Sequence, residues 1–154
     1  GRFPEPTIEL IGADFRQAKL EQTFDKVLCY SVQHYLADES EVTSFVDRAV
    51  DLLGPNGRAL FGDLPNGSKK KRFLSTATGM RIDGEWREQT RHPGGGDSAP
   101  TPTMAGPLVS FDDSLVLRLV AHCRARGFEA YVLPQEADLP FSYTREDLLV
   151  VRRA

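Results

Sequence analysis

The sequence has few cysteines and no excess of basic charge. Its 154 residues include two cysteines, Cys29 and Cys123, which lie far apart and do not have the spacing of metal ligands. We expect two buried, reduced thiols, as in a cytosolic protein. Lysine and arginine total 19 against 22 acidic residues, so the formal net charge is −3. This balance argues against nucleic acid as a partner.

The sequence also has no long apolar run. Its apolar stretches are far shorter than the roughly 20 residues that a membrane span needs. Residues 1–4 are not followed by the apolar segment of a signal peptide. Apolar residues make up 40% and charged residues 27%, as in ordinary globular proteins. We therefore expect one cytoplasmic domain that does not bind membranes.

Five segments have the composition of β-strands. They are residues 7–13, 24–30, 58–63, 128–133 and 148–151. Residues 27–30 are apolar without alternation, which predicts a strand covered on both faces. The last two segments follow each other without an intervening helix, so we expect one of them to run antiparallel.

Two segments have the apolar periodicity of helices. Apolar residues over 39–53 recur at three- and four-residue spacing, with Ser40 as the expected cap and a Gly-Pro-Asn-Gly stretch as the stop. The second helix begins at a cap on Asp112 or Asp113 and ends at Gly127. Between the two helices, residues 88–107 are rich in proline and glycine and predict a long flexible loop.

The order of these elements indicates an α/β fold. It resembles the C-terminal part of the class I S-adenosylmethionine-dependent methyltransferase family. The similar motifs are Gly12-Ala13-Asp14-Phe15, Phe24-Asp25-Lys26-Val27 with Ser31 to Leu36, Leu53 to Leu60, and Arg145 to Val151. The resemblance implies a Rossmann-like, doubly wound, mostly parallel sheet with an antiparallel last strand, and S-adenosylmethionine as the cofactor.

The family's glycine-rich cofactor turn is not found in this sequence. Gly94-Gly95-Gly96 has no strand before it and no helix after it, so it does not replace that turn. We expect the chain to lack one or two strand–helix units, roughly 60–70 residues, and to be inactive alone. The strand at 25–30 would then lose a neighbour. Either the segment at 7–13 pairs with it, or an unseen N-terminal segment or a second copy of the chain covers this edge.

The resemblance also implies cofactor contacts at three residues. Asp14 matches the acid that accepts a hydrogen bond from the adenine amino group, and Tyr30 and Ser31 lie where a strand meets the cofactor. Each has a local alternative. Asp14 has the composition of a turn or helix cap, and Tyr30 and Ser31 are also typical of packing at a strand end.

Residues after the strand ends are candidates for catalysis and substrate binding. His34 is a candidate general base, because imidazole titrates near neutrality, with pocket lining or a structural role as alternatives. Its neighbour Gln33 is a candidate substrate contact. The other histidines, His92 and His122, form no cluster with further ligands, so we expect no metal.

Further substrate contacts are predicted after the next strand. Asp63 and Asn66 are candidates to bind a substrate hydroxyl, although both residue types also form turns. Lys69 begins a basic run that would suit a phosphate or a nucleotide-linked sugar, with a solvated charge run as the alternative. Trp86 is either a sugar-stacking residue or a buried anchor.

The function expected from the resemblance is methyl transfer to a small-molecule substrate. Residues 62–66 and 133–135 are similar to bacterial methyltransferases of surface-sugar biosynthesis, which favours a sugar or sugar-linked acceptor and a role in polysaccharide biosynthesis. The alternative is a non-catalytic binding or assembly module with a methyltransferase-like fold.

Overall fold

The computed structural model describes residues 8–90, 108–139 and 141–154. In this part of the chain, four strands form one sheet: β1 (Phe24–Tyr30), β2 (Leu53–Pro65), β3 (Glu129–Pro134) and β4 (Arg145–Val151). The spatial order is β1-β2-β4-β3. β1 and β2 are parallel, whereas β4 runs antiparallel to both of its neighbours. The predicted mostly parallel sheet with an antiparallel last strand is therefore confirmed.

Four helices accompany the sheet in the described residues. They are α1 (Glu39–Asp51), α2 (Gly67–Leu74), α3 (Ala77–Thr90) and α4 (Asp113–Ala125). α1 and α4 confirm the two predicted helices, whereas the sequence patterns had indicated no helix for α2 or α3. The predicted loop over 88–107 is wrong at its start, because residues 88–90 belong to α3. Its remainder, residues 91–107, lies outside the described residues.

The helix ends show which capping predictions are correct. Asp38, not Ser40, caps α1, since its extended backbone brings Oδ1 within 2.9 Å of the Glu41 amide that donates to it. Asp112 caps α4 and accepts a hydrogen bond from the Leu115 amide at 2.8 Å. Gly127 follows α4 with a φ of 87°, as its predicted C-terminal position requires.

The core lies between α1, α4 and one face of the sheet. Ala59 and Phe61 of β2 and Leu148 and Val150 of β4 are buried in it. Cys123 of α4 is fully buried there, and burial, with a smaller contribution from the Asp47 charge, raises its pKa to about 11. Both cysteines are free, as predicted, although Cys29 is only half-buried.

The predicted strand at 7–13 is wrong in its described part. Residues 8–13 have no strand conformation, and Leu10 is 90% exposed. An isolated strand leaves its backbone groups unpaired, and no described strand lies beside this segment to pair with it. The alternative in which residues 7–13 cover the edge of β1 is therefore not observed for residues 8–13. Within the described residues, β1 pairs with β2 alone.

A row of apolar side chains crosses the sheet on the face opposite the core. Leu28 of β1 pairs with Leu60, Leu60 pairs with Leu149, and Leu149 pairs with Tyr131 of β3. We call these four residues the cross-strand row. Leu28 is 70% exposed, so the prediction that β1 is covered on both faces is wrong.

No helix within the described residues is long and apolar enough to cross a membrane.

Candidate functional site

Two residues at adjacent strand ends have left-handed backbone conformations. Ser31 follows β1 with a φ of 60°, and Asp63 lies near the end of β2 with a φ of 63°. Such conformations are uncommon for residues other than glycine and cluster at functional sites. The Ser31 hydroxyl donates a hydrogen bond of 2.6 Å to Asp63 Oδ2. This bond holds the ends of β1 and β2 together.

Further hydrogen bonds extend this pair into a network across the sheet. Asp147 Oδ1 accepts from the Asp63 amide at 3.0 Å, and Arg145 Nε lies 3.4 Å from Asp63 Oδ1. Gln135 Nε2 donates to the Tyr30 hydroxyl at 2.7 Å. The strand-end network therefore joins the carboxyl ends of β1, β2 and β3 to the start of β4. Its members are Tyr30, Ser31, Asp63, Gln135, Arg145 and Asp147.

Three buried side chains beside or within the network have unpaired polar atoms. Gln33 is only 1% exposed, and both its amide atoms lack a hydrogen-bond partner of normal geometry in the described residues, although the Cys29 thiol lies beside them. His34 Nδ1 and Gln135 Oε1 are also buried without a partner there. An unpaired buried polar group costs about 1–3 kcal/mol. Unpaired buried polar groups in a native structure call for an explanation, and a polar ligand or an ordered water is one.

His34 has the electrostatic environment of a proton acceptor. Its partial burial lowers its pKa below the ordinary 6.5, and the Arg145 charge lowers it further, against a smaller opposing effect of Asp63. The lowered pKa favours the neutral imidazole, the state that a general base needs. Its ring lies 4.2 Å from the ring of Tyr35, centroid to centroid. The role of His34 as a base stays a prediction.

The predicted cofactor contacts all bind other groups of the protein. Asp14 pairs with Arg16 at 2.8 Å and also accepts a hydrogen bond from the Arg16 amide. The hydroxyls of Tyr30 and Ser31 both belong to the strand-end network. Their role as cofactor contacts stays a prediction.

Two of the predicted substrate contacts have structural partners. Asn66 is buried, its Oδ1 caps α2 through the Lys69 amide, and its Nδ2 donates to Asp113 and Glu146 at 2.8 and 2.7 Å. Lys69 Nζ donates to the backbone carbonyl of Arg145 at 2.5 Å. Both residues therefore stabilise the position of α2, Asn66 through α4 and β4 and Lys69 through β4. Their contact with substrate, like that of Gln33 and Asp63, stays a prediction.

A cavity of about 680 Å³ lies between α2, α3 and the segments that precede α4 and β4. We call it the aromatic cavity, because its walls include Phe73, Trp86, Phe111, Phe141 and Tyr143. Arg145 belongs both to this wall and to the strand-end network, so the two features are adjacent. The sequence patterns did not indicate this cavity. The sequence feature that could have indicated this cavity is the recurrence of aromatic residues in otherwise polar segments.

The described residues contain no group of three or more histidine, cysteine or acidic side chains that could hold a metal ion. Most of the candidates for catalysis and binding belong to two groups, the strand-end network with its neighbours Gln33 and His34, and the aromatic cavity. Asp14 belongs to neither group, and its partner Arg16 also pairs with Glu41 at the start of α1.

Neither a protein-family model nor a curated protein matches the chain. Solved structures do match, at low identity. They include a Nostoc punctiforme PCC 73102 protein described as an O-methyltransferase of unproven activity (10% identity, TM-score 0.54, covering 92% of this chain and 36% of that one). The N-methyltransferase NodS from Bradyrhizobium japonicum WM9 matches with 12% identity and a TM-score of 0.50, covering 94% of this chain and 59% of NodS.

An O-methyltransferase family protein from Burkholderia thailandensis is a third match, with 16% identity, a TM-score of 0.50 and coverage of 92% of this chain and 33% of that one. These likenesses show the fold. The chain has part of the Rossmann-like fold of the class I methyltransferases, and it spans between 33% and 59% of the length of these three structures.

Proposed function

We propose that the chain supplies the acceptor-binding side of a class I S-adenosylmethionine-dependent methyltransferase domain that acts on a small molecule. The fold supports this proposal, and so does the position of the candidate site. In open α/β sheets, ligands bind beyond the carboxyl ends of the strands. The strand-end network and the unpaired Gln33 amide are at that end, and the aromatic cavity adjoins them through Arg145.

Methyl transfer requires an acceptor atom held in line with the methyl group and a route for the acceptor's proton. A bound sulfonium cofactor would supply the methyl group. On this chain, the neutral His34 is the proposed proton acceptor, and the Gln33 amide is the proposed hydrogen-bonding group for the acceptor molecule. The single observation that carries the proposal is the pair of unpaired buried groups, the Gln33 amide and His34 Nδ1, directly after β1.

The finer predictions belong to the same proposal. A sugar or sugar-linked acceptor and a role in polysaccharide biosynthesis rest on the resemblance of short sequence segments, and a cytoplasmic location rests on the two free cysteines. A phosphate or nucleotide group on that acceptor would suit the basic run that begins at Lys69.

Methyl transfer is tested on the product of the gene that encodes this sequence, taken from its start codon. Tritiated S-adenosylmethionine is incubated with this protein and pooled small-molecule acceptors. We expect label in an organic product, and we expect His34→Gln to lower kcat by roughly 100-fold or more with little change in KM. The matched control is His122→Gln, because His122 pairs with Asp47 on the helical side. No transfer to any acceptor, or equal loss in both variants, would contradict the proposal.

The open edge of β1 and the exposed Leu28 favour the second candidate function, an assembly module. In this alternative, a second copy of the chain pairs with β1 along its free edge. Sedimentation velocity of the 154-residue chain distinguishes the two. A dimer that Leu28→Glu dissociates supports the module. A monomer at high micromolar concentration argues against it.

A further inference from the structure

The aromatic cavity exposes an unusual amount of ring surface. Trp86, Phe141 and Tyr143 are each more than half exposed, at 52%, 55% and 51%. Large contiguous apolar patches are rare on folded proteins and mark ligand or partner sites. The volume of about 680 Å³ is typical of small-molecule pockets. The exposed rings and the volume of the cavity are therefore features that favour a ligand-binding role.

The rings are arranged as walls against which a flat molecule can lie. Phe73 of α2 and Tyr143 stack with centroids 4.9 Å apart and planes only 5° from parallel. Trp86 of α3 meets Phe141 edge to face, at a centroid distance of 6.5 Å. All four rings line the same cavity. Aromatic groups add stacking and edge-to-face contacts to such rings.

Polar groups in the cavity wall favour an anion over a polyhydroxylated ligand. Asn66 uses its amide on Asp113 and Glu146, and Asp83 pairs with Arg87 at 2.8 Å. These two wall residues therefore already have partners within the protein. The wall also contains two cations, of which Arg145 pairs with Asp63 of the strand-end network. Arg145 lies over the Phe141 ring at 5.7 Å, and Lys70 is exposed and has no ion pair within the described residues.

We propose that the aromatic cavity binds a flat aromatic anion, such as an aromatic carboxylate, with its rings between the aromatic walls and its charge near Lys70 and Arg145. This inference rests on the proposed function in one respect, because it names the chemical class of the acceptor. It replaces the sugar acceptor with an aromatic one. The binding itself is independent of methyl transfer.

The test uses the 154-residue chain and four probes: 2-naphthoate, its uncharged analogue 2-naphthamide, the non-aromatic cyclohexanecarboxylate, and uridine diphosphate glucose. Trp86 is the only tryptophan of the sequence. Its indole N–H signal in a proton–nitrogen spectrum therefore reports on the cavity directly. We expect saturable shifts of this signal with 2-naphthoate and about tenfold weaker binding of both 2-naphthamide and cyclohexanecarboxylate.

Two matched pairs of variants separate ring contacts from charge. Tyr143→Leu removes a cavity ring, whereas Tyr131→Leu removes an exposed tyrosine on β3 that does not line the cavity. We expect roughly three- to tenfold weaker 2-naphthoate binding for the first and no change for the second. Lys70→Met should abolish the preference for 2-naphthoate over 2-naphthamide, and Lys71→Met, outside the wall, should preserve it.

The proposal is overturned if 2-naphthoate leaves the Trp86 signal unchanged, if 2-naphthamide binds equally well, or if uridine diphosphate glucose binds more tightly. These failures are distinguishable from failure of the proposed function. Methyl transfer to a non-aromatic acceptor, without naphthoate binding, contradicts the aromatic ligand alone. Naphthoate binding by a gene product that transfers no methyl group contradicts the methyltransferase function alone.

Discussion

Ser31 and Asp63 face each other across the ends of two parallel strands, both with left-handed backbones, and share a hydrogen bond of 2.6 Å. Each of these conformations costs of order 1–3 kcal/mol. The contacts of Asp63 with Ser31, Arg145 and Asp147 offset this cost. The local geometry therefore depends on the Asp63 carboxylate, which contacts Ser31 and Arg145, and on the Asp63 backbone amide, which donates to Asp147.

Substitutions at Asp63 test this relationship. Asn tolerates the left-handed region and retains a hydrogen-bond acceptor, so Asp63→Asn should lower the free energy of unfolding by only about 1 kcal/mol. Asp63→Ala loses both properties, so it should lower the free energy of unfolding by about 2 kcal/mol more than Asp63→Asn does. Urea denaturation of the two variants measures the difference. Equal losses of stability in the two variants would show that neither the hydrogen-bond acceptor nor the left-handed backbone preference at residue 63 stabilises the fold.

Asn66 tests the attachment of α2. Its cap and two buried hydrogen bonds to carboxylates predict that Asn66→Ala lowers the free energy of unfolding by about 3 kcal/mol. Ser68→Ala in the same helix serves as the control and should change it by less than about 0.5 kcal/mol. Thermal denaturation measures both. A loss below about 1 kcal/mol for Asn66→Ala would mean that these bonds contribute little.

Two glycines of α3 test the contact between α2 and α3. A Cβ atom at Gly79 would clash with the Phe73 carbonyl oxygen, whereas one at Gly84 would meet nothing within 4 Å. Gly79→Ala should therefore displace α3, lower stability by about 2 kcal/mol or more and disturb the Trp86 signal. Gly84→Ala should raise stability by up to about 1 kcal/mol, because alanine favours helices. A Gly79→Ala variant with unchanged stability would contradict the close approach of α2 and α3.

The pKa of His34 predicts a direction of pH dependence. Because burial and Arg145 lower this pKa in the folded state, the unfolded chain binds the proton more tightly. His34 thus reduces stability as the pH falls below 6.5 toward its folded pKa, and has no such effect above 6.5. A proton NMR titration, assigned with His34→Gln, should give a midpoint below 6.5. A midpoint at or above 6.5 would contradict this environment.

The elements predicted from the sequence are those with strong local signals. α1 and α4 have apolar periodicity, β1 contains a continuous apolar run, and Gly127 marks the end of α4. The missing helix between β3 and β4 predicted that one of them runs antiparallel, and the family resemblance implied that it is the last strand. These features depend on neighbours in sequence, so the sequence patterns contain them.

The missed features depend on distant contacts. α2 buries none of its side chains and begins at a cap, Asn66, that bonds to Asp113 and Glu146. Its consecutive basic residues therefore had the pattern of a solvent-exposed charged stretch and gave no sign of a helix. The segment at 7–13 has strand composition, but residues 8–13 have no neighbouring strand in the described residues. Trp86, for which burial was one expectation, is half exposed because it faces the cavity.

In the proposed function, this chain provides the acceptor side of a methyltransferase domain whose cofactor is held mainly by other residues. Calorimetric titration with S-adenosylhomocysteine tests it most directly, on the 154-residue chain and on the product of its gene from the start codon. We expect micromolar binding by the gene product and none by the chain alone at millimolar ligand. Tight binding by the chain alone, or no binding by the gene product, would contradict the account.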